Sequence, residues 1–181
     1  MKRKKLAFFL LLLCSTTSQF GQIPKGTYMI GGDADIPFQL QMKDEMRMYI
    51  KPSMGYFVVD NFSLGLNIGS ELFFSQGDNL TFSFGLGPQL RYYLGKEKIK
   101  AFGHISYMAS IVTGNFFRPN EFESSFQPGM GVCYMIAPTV GIEALLNYSI
   151  IDSKYDHHKY HSFGALHIGF QIFLPPTIDK Q

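Results

Sequence analysis

The densest set of metal-type ligands in this chain is His157, His158 and His161, close to Asp152 and Asp156. Imidazoles and carboxylates so near one another could hold zinc or copper. The same residues also read as one solvated, histidine-rich loop, because ligands on a loop without supporting partners are rarely organised. The expectation is the loop, with no metal and no cofactor. A second constellation is His104 and Ser106, one residue apart, so that both side chains share a face of an extended chain. An imidazole beside a hydroxyl begins a nucleophilic site. A triad needs a third, orienting group, and no carboxylate follows Ser106 at short distance. The remaining ionisable residues of interest are Asp33, Asp35, Lys51, Glu71, Arg91, Glu143 and His167, each set singly among apolar neighbours.

The elements that must position these residues alternate with a period of two. In Leu80–Leu94, Leu80, Phe82, Phe84, Leu86, Pro88, Leu90, Tyr92 and Leu94 fall on one face, and Thr81, Ser83, Gly85, Gly87, Gln89, Arg91 and Tyr93 on the other. A strand in a soluble domain usually runs to about 5–6 residues, whereas a tilted membrane strand needs about 9–11. Leu64–Phe74, Val140–Ile150 and Leu166–Leu174 repeat the pattern, and Thr27–Phe38, Arg47–Val58, Lys100–Thr113 and Ser124–Ile136 carry it with more noise. Eight strands result, an even number as bacterial barrels require. Short turns at Val59–Phe62, Gly95–Lys98 and Ala137–Thr139 alternate with longer polar links at Gln39–Met46, Ser75–Asn79, Gly114–Glu123 and Asp152–Lys159. Tight periplasmic turns against long outer loops give this asymmetry. The expected fold is therefore an eight-stranded antiparallel up-and-down transmembrane β-barrel over residues 23–174, with both chain ends in the periplasm and residues 175–181 as a periplasmic tail. A soluble β-sandwich is the competing architecture, but it gives no reason for strands so long and so two-faced.

The first residues read as a secretory signal peptide: Lys2, Arg3, Lys4 and Lys5, then apolar Leu6–Cys14, then small and polar Ser15–Gln22. Cleavage after Ser18 and after Gly21 are both compatible, so residues 1–21 are set apart from the fold. The whole chain has 16 basic and 14 acidic residues. Removing the four basic residues of the signal leaves 12 against 14, a net of −2. The apparent basicity therefore belongs to export and gives no argument for nucleic-acid binding. Cys14 leaves with the signal, so Cys133 has no partner for an intrachain disulfide. No later apolar run is long enough for a transmembrane helix. Yet the composition is 15% aromatic and only 17% charged, which suits strands with a single lipid-facing side.

The hairpins repeat loosely. Pro52-Ser53-Met54-Gly55-Tyr56, Pro88-Gln89-Leu90-Arg91-Tyr92 and Pro128-Gly129-Met130-Gly131-Val132 each precede a tight turn. Pro52 to Gly65, with Gly55-Tyr56-Phe57, Asp60-Asn61 and Leu64-Gly65, and Pro88 to Lys96, with Arg91-Tyr92-Tyr93, resemble the small outer-membrane β-barrel domain proteins of Gram-negative bacteria. The last strand is similar to a barrel-assembly signal, with His167, Gly169, Ile172 and Leu174 in a polar-x-Gly-x-x-apolar-x-apolar pattern, although the chain continues from Pro175 to Gln181. The resemblance implies an integral outer-membrane location, contact with membrane lipid and lipopolysaccharide, and handling by the barrel-assembly machinery. Some barrels of this size are lipid A deacylases with a His-x-Ser pair that faces lipid, whereas the register here turns His104 inward.

On this reading Asp33, Asp35, Lys51, Glu71, Arg91, His104, Glu143 and His167 line the lumen. Charges there must be paired or hydrated, so Lys51 and Arg91 are expected to bridge to carboxylates such as Glu71 or Glu143 and to plug the barrel. Phe116, Phe117 and Phe122 in an outer loop are expected to meet a partner or lipopolysaccharide, or to tuck in as a lid. The functional expectation is a non-enzymatic outer-membrane barrel with a structural or interaction role through its outer loops and an unidentified external ligand. A narrow conduit for small or hydrophobic solutes and a lipid A-modifying enzyme are the alternatives.

Overall fold

A computed structural model of the chain describes residues 22–36, 45–75, 79–96, 98–114, 119–153 and 160–176. The expected signal peptide and the tail beyond Pro176 lie outside these residues. The strands are β1 (Tyr28–Ile36), β2 (Glu45–Val59), β3 (Phe62–Ser75), β4 (Asn79–Lys96), β5 (Ile99–Gly114), β6 (Pro119–Ala137), β7 (Val140–Ser153) and β8 (Tyr160–Leu174). Each pairs antiparallel with its neighbours in sequence, and β1 pairs with β8 from Tyr28↔Leu174 to Ile36↔Leu166, so the sheet closes with no edge. The eight-stranded up-and-down barrel that the alternation predicts is the fold.

The alternation sorts the side chains inside out. Ile30, Met54, Leu66, Leu86, Leu146 and Ile168 stand exposed on the exterior, while Lys51, Arg91 and Glu143 are buried within. Open apolar surface on this scale, around the whole circumference, is stable only against hydrocarbon. Tyr28, Tyr56, Tyr92, Tyr134 and Phe170 point outward near the end that carries the short turns, and the Tyr28 and Tyr56 rings lie 5.0 Å apart. A soluble sandwich would have turned these faces toward one another.

Two boundaries differ from the expected ones by more than three residues. β6 begins at Pro119, so Asn120–Glu123 extend a strand that was expected to start at Ser124. β8 begins at Tyr160, ahead of the apolar pattern at Leu166. Polar side chains do not stop a ladder whose partner strand is present: Phe122 pairs with Ile111 and Glu123 with both Ser110 and Ser153. Proline opens β6, the strand position where its missing donor matters least.

The internal prolines behave alike. Pro52, Pro88 and Pro128 each pair on one side, with Gly32, Leu66 and Ile105. On the other side the ladder skips, from Ile50↔Ser70 to Ser53↔Asn67, from Leu86↔Ala109 to Gln89↔Ser106, and from Phe126↔Ile150 to Gly129↔Asn147. No residue is inserted at these gaps, and the irregularities of register lie elsewhere, as at Phe57/Val59 and Met135/Ala137 beside the turns. A residue without an N–H interrupts only the side toward which that donor would point.

A candidate functional site in the barrel lumen

Inward parity brings most of the predicted lumen residues into a shared interior. One row runs from β2 to β7 through Lys51, Asp33, Gly169 and Glu143, each registered with the next on the neighbouring strand. Arg91 reaches across the barrel from β4 to meet this row. Its Nη1 donates to Glu143 Oε2 at 2.7 Å, its Nη2 lies 3.5 Å from Asp33 Oδ2, and its Nε donates to Gln89 Oε1 at 3.1 Å. The Tyr93 hydroxyl donates to the second oxygen of Glu143 at 2.9 Å, and the guanidinium carbon sits 5.4 Å from the centre of the Phe102 ring. Gly169 makes the arrangement possible, because a Cβ there would collide with the Gly32 carbonyl and the Asp33 carboxylate. Buried charges held this way, paired and hydrogen-bonded, offset part of the cost of leaving water.

Beyond this row, toward the loops, the contacts are softer. Lys51 Nζ donates to Gln127 Oε1 at 2.8 Å. Gln127 Nε2 donates to Ser125 at 3.0 Å, and the Ser106 hydroxyl lies 3.4 Å from Gln127 Oε1. His104 Nε2 and Ser106 Oγ are 3.1 Å apart. The His104 ring has no partner at Nδ1, so no acid orients it among the described residues, and Glu143 is occupied by Arg91 and Tyr93. Asn67 and Asn147 are buried with neither amide atom bonded to a described protein group. His167 faces inward with its ring edge-on to Tyr49 at 6.4 Å. Glu71 is half-buried near the loop end of β3, opposite Tyr49 and Ser83. The Asp35 backbone pairs with His167, and its side chain lies outside the described residues. So do His157, His158, Phe116 and Phe117 and the side chain of His161, whereas Phe122 is exposed on β6. Of the terminal pattern, Gly169 and His167 meet the lumen and Leu174 is exposed on the exterior.

Toward the turns the interior becomes apolar. Ile23, Met29, Phe57, Tyr93, Phe102, Cys133, Leu145 and Phe173 form one buried cluster. Tyr93 lies 5.2 Å from Phe102 and 5.9 Å from Phe173, and Phe57 lies 5.8 Å from Tyr93. The segment before β1 supplies Ile23 and is stitched to the β2–β3 turn: Ile23 N donates to Asn61 Oδ1 at 2.8 Å, Asn61 N to Ile23 O at 2.9 Å, and Lys25 N to Asp60 Oδ1 at 2.8 Å. Asn61 holds a left-handed backbone, φ 63°, that asparagine tolerates better than most residues. The sequence reading gave the lumen as polar throughout and missed this tier. Its signal was present, since Phe57, Tyr93, Phe102 and Phe173 all fall at inward parity.

No protein-family model matches the chain, and comparison with curated proteins finds no relative. Solved structures do match. Neisserial surface protein A superposes with a TM-score of 0.64 at 14% identity, over 84% of this chain and 98% of that one. The N-terminal β-barrel domain of Pseudomonas aeruginosa OprF gives 0.55 at 16%, over 82% and 98%. The outer membrane protein OprG from Pseudomonas aeruginosa gives 0.53 at 10%, over 86% and 99%. The likeness is one of fold, to small outer-membrane β-barrels.

Proposed function

We propose that this chain is an integral protein of a Gram-negative outer membrane whose barrel is a closed scaffold and whose outer loops carry the interaction role. The observation behind it is the cross-section: an apolar exterior, a salt-bridged row at Arg91, Asp33 and Glu143, and a ring-packed apolar tier beneath it. A narrow eight-stranded barrel leaves room for side chains and little more. Lipid and lipopolysaccharide are its surroundings, residues 1–21 its export signal, β8 its mark for the assembly machinery, and the turn end its periplasmic face. No catalytic role is assigned: His104 lacks an orienting acid among the described residues, and both it and Ser106 are turned away from lipid.

Asn67 and Asn147 favour a wet chamber within the lumen, since buried amides without protein partners are met by water. The apolar tier makes that chamber a dead end. Fractionation with gel migration before and after boiling tests the scaffold: a heat-modifiable band in outer membranes is expected, and a soluble periplasmic band of unchanged mobility would refute it. Planar-bilayer recording tests closure. Steady, reproducible single-channel steps would replace the scaffold with a conduit.

A further inference from the structure

Gln22 is half-buried where the chain enters the barrel at the turn end. It borders the mouth of the apolar tier, with Phe173 and Pro175. The residue after it is buried and held from both sides: Ile23 N donates to Asn61 Oδ1 at 2.8 Å, and Ile23 O accepts from Asn61 N at 2.9 Å. Lys25 N donates to Asp60 Oδ1 just beyond. The backbone is therefore pinned from Ile23 onward. A chain that began at Ile23 would lose the amide that meets Asn61, so position 22 is the last that can end the chain with every one of these bonds kept.

Both cuts compatible with the signal peptide expose a glutamine: Gln19 after Ser18, and Gln22 after Gly21. A terminal ammonium at position 22 would stand beside a buried residue, and the described residues bordering that mouth include no carboxylate to pair it. Charge at the edge of an apolar interior is costly unless it is paired or hydrated. Glutamine can remove its own terminal charge by closing a lactam ring.

We propose that Gln22 is a modification site, and that the mature chain begins there as pyroglutamate. This rests on the reading of residues 1–21 as an export signal. The α-amine attacks the carbonyl carbon of the Gln22 side chain. An N–Cδ bond forms, the Cδ–Nε2 bond breaks, and one amine proton leaves with the departing nitrogen as ammonia. No oxidant, reductant or second substrate is required. The product is uncharged, and the Ile23 N–H stays an ordinary amide donor to Asn61. The periplasmic mouth of the apolar tier then closes on a neutral ring instead of a cation.

The test is mass spectrometry of the protein purified from the outer membrane of its native host. An amine-reactive tag is added in denaturant before trypsin, which traps any α-amine still free before it can cyclise. Trypsin then cuts after Lys25 in the reduced, partly tagged chain, and a second digest without tag gives the same peptide for comparison. The expected first peptide runs from Gln22 to Lys25, is lighter than its unmodified form by one ammonia, and carries no tag on its α-nitrogen. Gln22→Asn, whose side chain is too short to close the ring, should keep a taggable α-amine while the barrel keeps its heat-modifiable migration. A Gln22 peptide of full mass with a tagged α-amine overturns the modification and leaves the export signal standing. A chain beginning at Gln19 overturns it as well. A chain beginning at Met1 overturns the modification and the export signal together.

Discussion

The Arg91 guanidinium ties the interior together, touching groups from three strands other than its own: Asp33 on β1, Phe102 on β5 and Glu143 on β7. Removing one member of a buried pair leaves the other charged and unsatisfied, at a cost of about 3–5 kcal/mol. Arg91→Leu and Glu143→Leu are each expected to lower unfolding stability by that order in urea titrations in lipid vesicles. The double variant should lose clearly less than the two single losses together. Strict additivity would show that the two groups do not interact. That these residues face inward was legible from parity alone. Which carboxylate meets the arginine was not, since Glu71 and Glu143 share that parity. The choice depends on the stagger of one strand against the next around a closed sheet, a property with no trace in any one segment. The same stagger brings Gln127 within reach of Lys51.

At the level of the strand, spacing between backbones decides what a substitution costs. A Cβ added at Gly87 would sit on the Tyr107 carbonyl oxygen, where β4 and β5 close up beside Pro88 and the ladder skips. At Gly103 an added Cβ meets nothing within 4 Å. Gly87→Ala is therefore expected to destabilise by about 1–3 kcal/mol, the usual range for overpacking, and Gly103→Ala to stay within about 0.5 kcal/mol of the parent. Equal effects in the same urea assay would contradict the close approach. Strand identity and number were readable from the period-two pattern. The loop-side ends of β6 and β8 were not, because Asn120–Glu123 and Tyr160–Ser162 lack alternation and are strand only by pairing with a neighbour. The proline positions were readable too, but not their one-sided effect, which needs the direction of the missing donor.

For the molecule as a whole, the division of the interior into a polar tier and an apolar tier predicts how it meets water. Cys133 lies in the apolar tier, buried, with Met135 Sδ 3.8 Å from its sulfur. Water-soluble maleimide should leave it unlabelled in the folded barrel and modify it fully after denaturation. Rapid labelling of the folded form, read by mass spectrometry, would mean that the tier is open. Overall closure followed from an even count of two-faced strands. The apolar tier did not follow, because Phe57, Phe102 and Phe173 sit close to short turns, where an aromatic fits an outward interfacial girdle as readily as an inward contact. The parity of each strand separates the two, and it carries that weight only once the neighbouring outward residues are fixed.

The two ends of the barrel chain lie side by side. β1 registers with β8 along the whole of Tyr28–Ile36, and a Cβ at Gly26 would touch Pro176 at 3.3 Å. Topologically the barrel is a hoop with one nick, and the nick falls at a place no hairpin depends on. A peptide linker from Pro176 back to Gln22, with new termini cut between Asp60 and Asn61, would keep every ladder intact while freeing Ile23 from its stitched anchor.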